Sequence, residues 1–172
     1  MTSTTGPAAT SGAAPGARPR VLVLGFGNPG RLDDGLGPAL ADAIAAAAIP
    51  GVRAEAPYQL ELEDAALAAE HDTVVFADAS RTDPAPFGFR EVLARTHHEF
   101  TTHSLAPETV LGVARDVLGA APRGFVLAIR GEEFDGFGER LSAPAAAHLR
   151  AATRFLEDAL RGGLPAGRAP EV

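Results

Sequence analysis

Asp33 and Asp34 stand side by side after the glycine-rich stretch Gly25-Phe26-Gly27-Asn28-Pro29-Gly30. Adjacent carboxylates there could cap a helix, hold a cation or take up a proton. Asp78 directly follows the apolar run 73–77, and His103 lies in the polar segment 100–105 ahead of a helical pattern. Two hard carboxylates and one imidazole make a three-ligand set with open positions, suited to a divalent ion such as Ni²⁺ or Zn²⁺. Each residue also has a plainer reading. A carboxylate before a helix is commonly an N-cap, a strand-end Asp commonly forms a turn, and a loop His commonly meets only solvent. His97 and His98, between Thr96 and Glu99, look like a solvated turn, and His71 and His148 sit beside charged residues in helical surroundings. Spacing alone does not bring Asp34, Asp78 and His103 together.

Composition narrows the chemistry. The chain has no cysteine, so disulfides, thiolate metal sites and cysteine nucleophiles are excluded. Every basic residue is Arg, which removes a P-loop lysine, Schiff-base chemistry and a Ser-Lys dyad. There is no G-x-S-x-G elbow, and Ser80 and Ser104 have no evident base, which argues against covalent serine catalysis. A net charge of -7 argues against a nucleic-acid partner. No apolar run is long enough to span a bilayer, and residues 1–18 lack the continuous apolar stretch of a signal peptide.

The glycine stretch also matches G-x-G-x-x-G after a strand, the signature of dinucleotide binding, with Gly25, Gly27 and Gly30 as its glycines. In that motif the helix begins within the glycines and its amino end holds the pyrophosphate. Here Pro29 and Gly30 interrupt the chain, and Asp33 and Asp34 would repel a phosphate at the same place. Glu55 could contact a ribose. A nucleotide-dependent enzyme is therefore the weaker alternative.

These residues need elements to position them. Short apolar runs at 20–25, 73–77 and 124–130 read as strands buried on both faces, 52–56 as a second strand, and 87–93 as an edge strand. Helical spacing predicts helices from about Pro38 to Ile49, over 60–70, over 107–118 and over 145–160. Strand and helix alternate, so the expected fold is α/β, a three-layer sandwich with a mostly parallel twisted sheet and helices on both faces. Such sheets bind ligands at the carboxyl ends of their strands, where the 25–34 loop, Asp78 and the segment before Pro107 would lie. The expected organisation is a disordered extension over 1–18, a single domain over 19–161 and a flexible tail over 162–172, all three read from composition.

Three of these motifs together resemble the hydrogenase maturation endopeptidases. The segment 24–37, from Leu24 through Asn28, Asp33 and Asp34 to Gly37, is similar to that family's opening G-x-G-N…D-[DE]-x-x-G. Phe76-Ala77-Asp78-Ala79 resembles its strand-end Asp motif, and Thr102-His103-Ser104-Leu105 its loop histidine. The resemblance covers about residues 20–160. It implies a twisted α/β sandwich and an enzyme that senses nickel in the precursor of a [NiFe]-hydrogenase large subunit, then removes a C-terminal peptide. It assigns metal binding to Asp34, Asp78 and His103, with either Asp as a possible general base and with zinc an alternative ion at the same site. Asn28, Asp33, Tyr58 and Gln59 are expected to border the substrate. Asp34 replaces a Glu found in some members, and Pro57-Tyr58-Gln59-Leu60 stands where many carry Gly-Gly-Thr. A cytoplasmic monomer is implied, and a non-catalytic nickel-binding chaperone is the other alternative.

Overall fold

The computed structural model describes residues 20–95 and 105–164. The chain runs β1 (Val21–Gly25), a 3-10 turn (Leu32–Gly35), α1 (Leu36–Ala46), β2 (Val52–Glu55), α2 (Glu63–Ala69) and β3 (Thr73–Ser80). It continues through β4 (Phe87–Val92), α3 (Pro107–Asp116), β5 (Arg123–Arg130) and α4 (Ala143–Gly162). The five strands form one sheet in the order β2-β1-β3-β5-β4, parallel except for β4, which runs antiparallel along the edge.

The apolar runs are continuous because the central strands are covered on both sides. Leu22, Leu24, Val74, Phe76, Val126 and Ala128 pack with the inward faces of α2 and α3. Their neighbours Val21, Val23, Val75, Ala77, Phe125, Leu127 and Ile129 pack with α1 and α4. Removing each large apolar side chain from water contributes about 1.5–3 kcal/mol, so these two layers supply most of what holds the fold together. At the β4 edge, Phe89 stacks on Phe125 with ring centroids 5.1 Å apart, and Phe155 of α4 meets both Phe87 and Phe89. The expected three-layer α/β sandwich is therefore the observed one.

The chain places β2 on one side of β1 and then crosses to lay β3 on the other. That reversal opens a crevice above β1 at the carboxyl ends of the strands. Register shapes the crevice. Gly25, the last residue of β1, pairs with Ala77, whereas β3 continues beside β5 to Ser80. Asp78 is thus still in the strand, opposite Ala128, and is not the turn residue its position after Ala77 suggested. It lies just past the point where β1 stops.

Other boundaries moved for local reasons. Helix α1 begins at Leu36, because the 3-10 turn carrying Asp33 and Asp34 leads straight into it. Helix α2 begins at Glu63; Leu60 is buried before it, and its carbonyl accepts from the Leu105 N–H at 2.9 Å. Helix α4 reaches Gly162, and Leu164 packs against the α1–α4 layer. Among the described residues, no helix is long and apolar enough to cross a membrane. The expected extension over 1–18 and most of the expected tail lie outside the described residues.

Candidate active site

The glycine loop is shaped to let α1 approach β1. A Cβ on Gly25 would lie 2.0 Å from the Gly37 carbonyl oxygen, and one on Gly37 would lie 2.3 Å from that of Phe26. Gly27 has φ of +138°, a backbone conformation that favours glycine, and the Asp34 carbonyl oxygen fills the space where its Cβ would be. The loop then closes on itself. The N–H groups of Phe26, Asn28, Gly30, Arg31, Leu32, Asp33 and Asp34 all donate to acceptors within the chain. A phosphate cradle needs such donors free, so the dinucleotide reading of Gly25, Gly27 and Gly30 does not fit this loop.

The closed loop presents Asp34 beside Asp78. Asp34 accepts from the Asn28 N–H at 2.9 Å, and Asp78 from the Ala79 N–H at 2.7 Å. Among the described residues, the second oxygen of each carboxylate accepts no hydrogen bond. Burial pushes the Asp78 carboxyl up to about 6, against the pull of the Ala79 N–H, and the nearby charge of Asp34 pushes it the same way. Two half-buried acids that feel one another at a switch-point crevice can share a cation, or one can hold a proton near neutral pH.

Asp33, one residue earlier, faces the other way. It is wholly buried. Its carboxylate accepts from the Glu132 and Glu133 N–H groups at 2.8 Å each, and from the Ser142 N–H and hydroxyl at 2.7 Å each. Its own N–H donates to the Glu133 carbonyl. Burial raises this carboxyl, but the four donors outweigh it and leave Asp33 below the usual carboxylate range. The expectation that Asp33 borders the substrate is therefore corrected: it clasps the 131–142 segment to the turn that carries Asp34.

Asn28 ties Asp34 to the surface. Its side-chain amide donates to the Tyr58 hydroxyl, and its oxygen accepts from the Gly30 N–H at 2.9 Å. Tyr58 is exposed, and with Pro57, Gln59, Glu61, Glu63 and Asp64 it lines a shallow cleft of about 190 Å³. Tyr58 and Gln59 are thus on open surface, and half-buried Asn28 connects Tyr58 to Asp34. His103 lies outside the described residues, as do His97 and His98. Among the described residues, no group of three metal-binding side chains converges. The His71 and His148 rings each hydrogen-bond a backbone carbonyl, of Leu67 and Arg130, at 2.8 Å. Ser142 escaped the sequence reading, although Ser142-Ala143-Pro144 is a recognisable helix start. Its hydroxyl caps α4 through the Ala145 N–H while donating to Asp33.

No family model and no curated protein matches the chain. Solved structures do. A hydrogenase 2 maturation peptidase from a Thaumarchaeota archaeon is 23% identical, aligning 83% of this chain with 98% of that one at a TM-score of 0.61. The hydrogenase maturating endopeptidase HybD of E. coli is 20% identical, with coverage of 84% and 94% and a TM-score of 0.67. The [NiFe]-hydrogenase maturation protease HycI of Thermococcus kodakarensis is also 20% identical, with coverage of 85% and 95% and a TM-score of 0.63. The chain has the fold of these hydrogenase maturation peptidases. The likeness takes in 94–98% of those chains and 83–85% of this one.

Proposed function

We propose that the chain is an endopeptidase that removes a C-terminal peptide from the nickel-loaded precursor of a [NiFe]-hydrogenase large subunit, acting as a monomer in the cytoplasm. The observation that carries this reading is the acid pair: Asp34 lies near enough to Asp78 to raise its carboxyl, at the switch point of a fold shared with solved maturation peptidases. The three sequence motifs that resemble those of the maturation endopeptidases supply independent support.

Nickel enters here as part of the substrate. The donor set suits it, because among the described residues the two carboxylates each keep an oxygen free of hydrogen bonds, and His103, which the sequence resemblance assigns to the same site, would add a nitrogen donor. Bound there, the ion would polarise the scissile carbonyl. Asp78 contributes by its proton affinity. With its carboxyl held near 6, it is ionised at neutral pH yet basic enough to take a proton from an attacking water. Asp34, fixed by the Asn28 N–H, would supply the second carboxylate toward the ion.

The test is incubation with nickel-loaded and nickel-free precursor, followed by intact-mass measurement. Loss of a C-terminal peptide from the loaded precursor alone is expected. Binding of nickel without any cleavage would favour a nickel-carrying chaperone, and no response to either precursor would sink the reading.

A further inference from the structure

The 131–142 segment is anchored far more heavily than a surface loop requires. Asp33 binds it at Glu132, Glu133 and Ser142. The Gly138 N–H donates to the Gly30 carbonyl at 2.8 Å, and the Gly138 carbonyl accepts from the Leu32 N–H at 2.9 Å. Beneath the loop, the Leu32 side chain lies against Gly136 and Gly138. Phe134 is buried under the Arg81 guanidinium, 4.3 Å from its ring centroid. One large apolar side chain of this segment is left outside. Phe137, between the two glycines, is 91% exposed.

A rigid loop that holds a phenyl ring in water is the arrangement of an interface anchor. The ring loses little freedom when a partner covers it, so most of its burial goes to affinity. Position says which partner. Gly138 bridges to Arg31 and bonds to Leu32, two residues from Asp34, so chain geometry keeps Phe137 within roughly 15 Å of Asp34. A specific protein interface covers about 800 Å² on each side, a patch roughly 30 Å across. A patch of that size centred on Asp34 reaches as far as Phe137, so a folded protein that delivers a peptide bond there has surface within reach of the ring.

We propose that the 131–142 loop is the docking element for the folded body of the precursor, with Phe137 seated in an apolar pocket on that partner. This inference rests on the endopeptidase reading above. It makes recognition of the substrate partly independent of the residues around the cleaved bond.

The experiment compares steady-state processing of nickel-loaded precursor by the wild-type chain, Phe137→Ala, Phe137→Leu and Leu93→Ala. Leu93 is a matched control: it is 68% exposed and follows β4 at the opposite end of the sheet. Phe137→Ala is expected to raise KM about 10-fold or more with kcat and melting temperature unchanged, since truncating a buried aromatic anchor has effects of that size. Phe137→Leu should recover most of the loss, and Leu93→Ala should match the wild type. An unchanged KM for Phe137→Ala, or an equal rise for Leu93→Ala, overturns the docking proposal while leaving the peptidase reading intact. Failure of the wild-type chain to process precursor removes that reading and the docking role with it.

Discussion

Asp33 and Asp78 both take a carboxylate out of water, and the fold treats them in opposite ways. Around Asp33 the 131–142 segment supplies three backbone N–H groups and a hydroxyl, and the carboxyl falls below its usual range. Around Asp78 one N–H remains, with a second acid nearby, and the carboxyl rises to about 6. A buried charge with its hydrogen bonds completed is a structural joint. A buried charge without them is held in readiness for a partner that arrives from outside, such as a cation or a proton. Asp34 belongs with Asp78: it is half-buried, fixed through one oxygen and open at the other.

The contrast breaks most visibly at the joint. Asp33→Asn keeps the shape but removes the charge and turns an amide toward four donors. It should cost about 3 kcal/mol or more, measured as a fall in the midpoint of urea unfolding. Because the folded-state value of Asp33 is depressed, its contribution is present above the unfolded carboxylate range and is lost as pH falls below about 4. Acid unfolding should therefore be shallower in Asp33→Asn than in the wild type. Ser142→Ala is the milder form, removing one donor and the cap of α4, at about 1–2 kcal/mol, and Ser142→Thr should restore most of it. Equal stability of wild type and Asp33→Asn would mean the joint carries no load.

At the other acid the sign reverses. A carboxyl raised to about 6 binds its proton more tightly in the folded chain than in the unfolded one, so stability falls as pH rises between about 4 and 6. Above pH 6 the folded protein carries the full penalty of the buried charge. Asp78→Asn should thus stabilise the metal-free protein at pH 7, by about 1–2 kcal/mol once partial exposure is allowed for, and remove that pH slope. The same variant should abolish processing. A destabilised Asp78→Asn protein at pH 7 would show that Asp78 is a second joint and that the crevice has no free acid.

How far this contrast was legible in the sequence depends on where its causes lie. The layers were legible, since runs such as Val21–Leu24 and Thr73–Ala77 state two-sided burial by themselves. Asp33 and Asp34 were visible as a pair, but their division of labour was not. It is decided by Glu132, Glu133 and Ser142, about a hundred residues away, through backbone donors that leave no mark in side-chain type. The status of Asp78 depended on β3 outrunning β1, a difference of strand length that only register reveals. Phe137 had no periodic pattern around it, so nothing local distinguished an anchor from an ordinary loop residue.

The smallest expected effect lies on the path from the surface to Asp34. Tyr58 is exposed, and its hydroxyl accepts from the Asn28 amide. Tyr58→Phe removes that acceptor and almost nothing else, so stability should change by no more than about 0.5 kcal/mol. Asn28 would keep its own turn through the Gly30 N–H, yet its backbone N–H also sets the orientation of Asp34. A looser Asn28 should therefore lower kcat for nickel-loaded precursor several-fold, about 1 kcal/mol in barrier, with little change in KM. Gln59→Ala is the comparison: Gln59 bonds Glu61 and not Asn28, so any change should fall on KM. If Tyr58→Phe leaves kcat at the wild-type value, the Gly30 turn alone holds Asp34 in place, and Tyr58 contributes only contact surface. If kcat falls while Gln59→Ala keeps it, the hydroxyl acts through Asn28, and the acid pair is tuned from the surface on one side and from the Asp33 joint on the other.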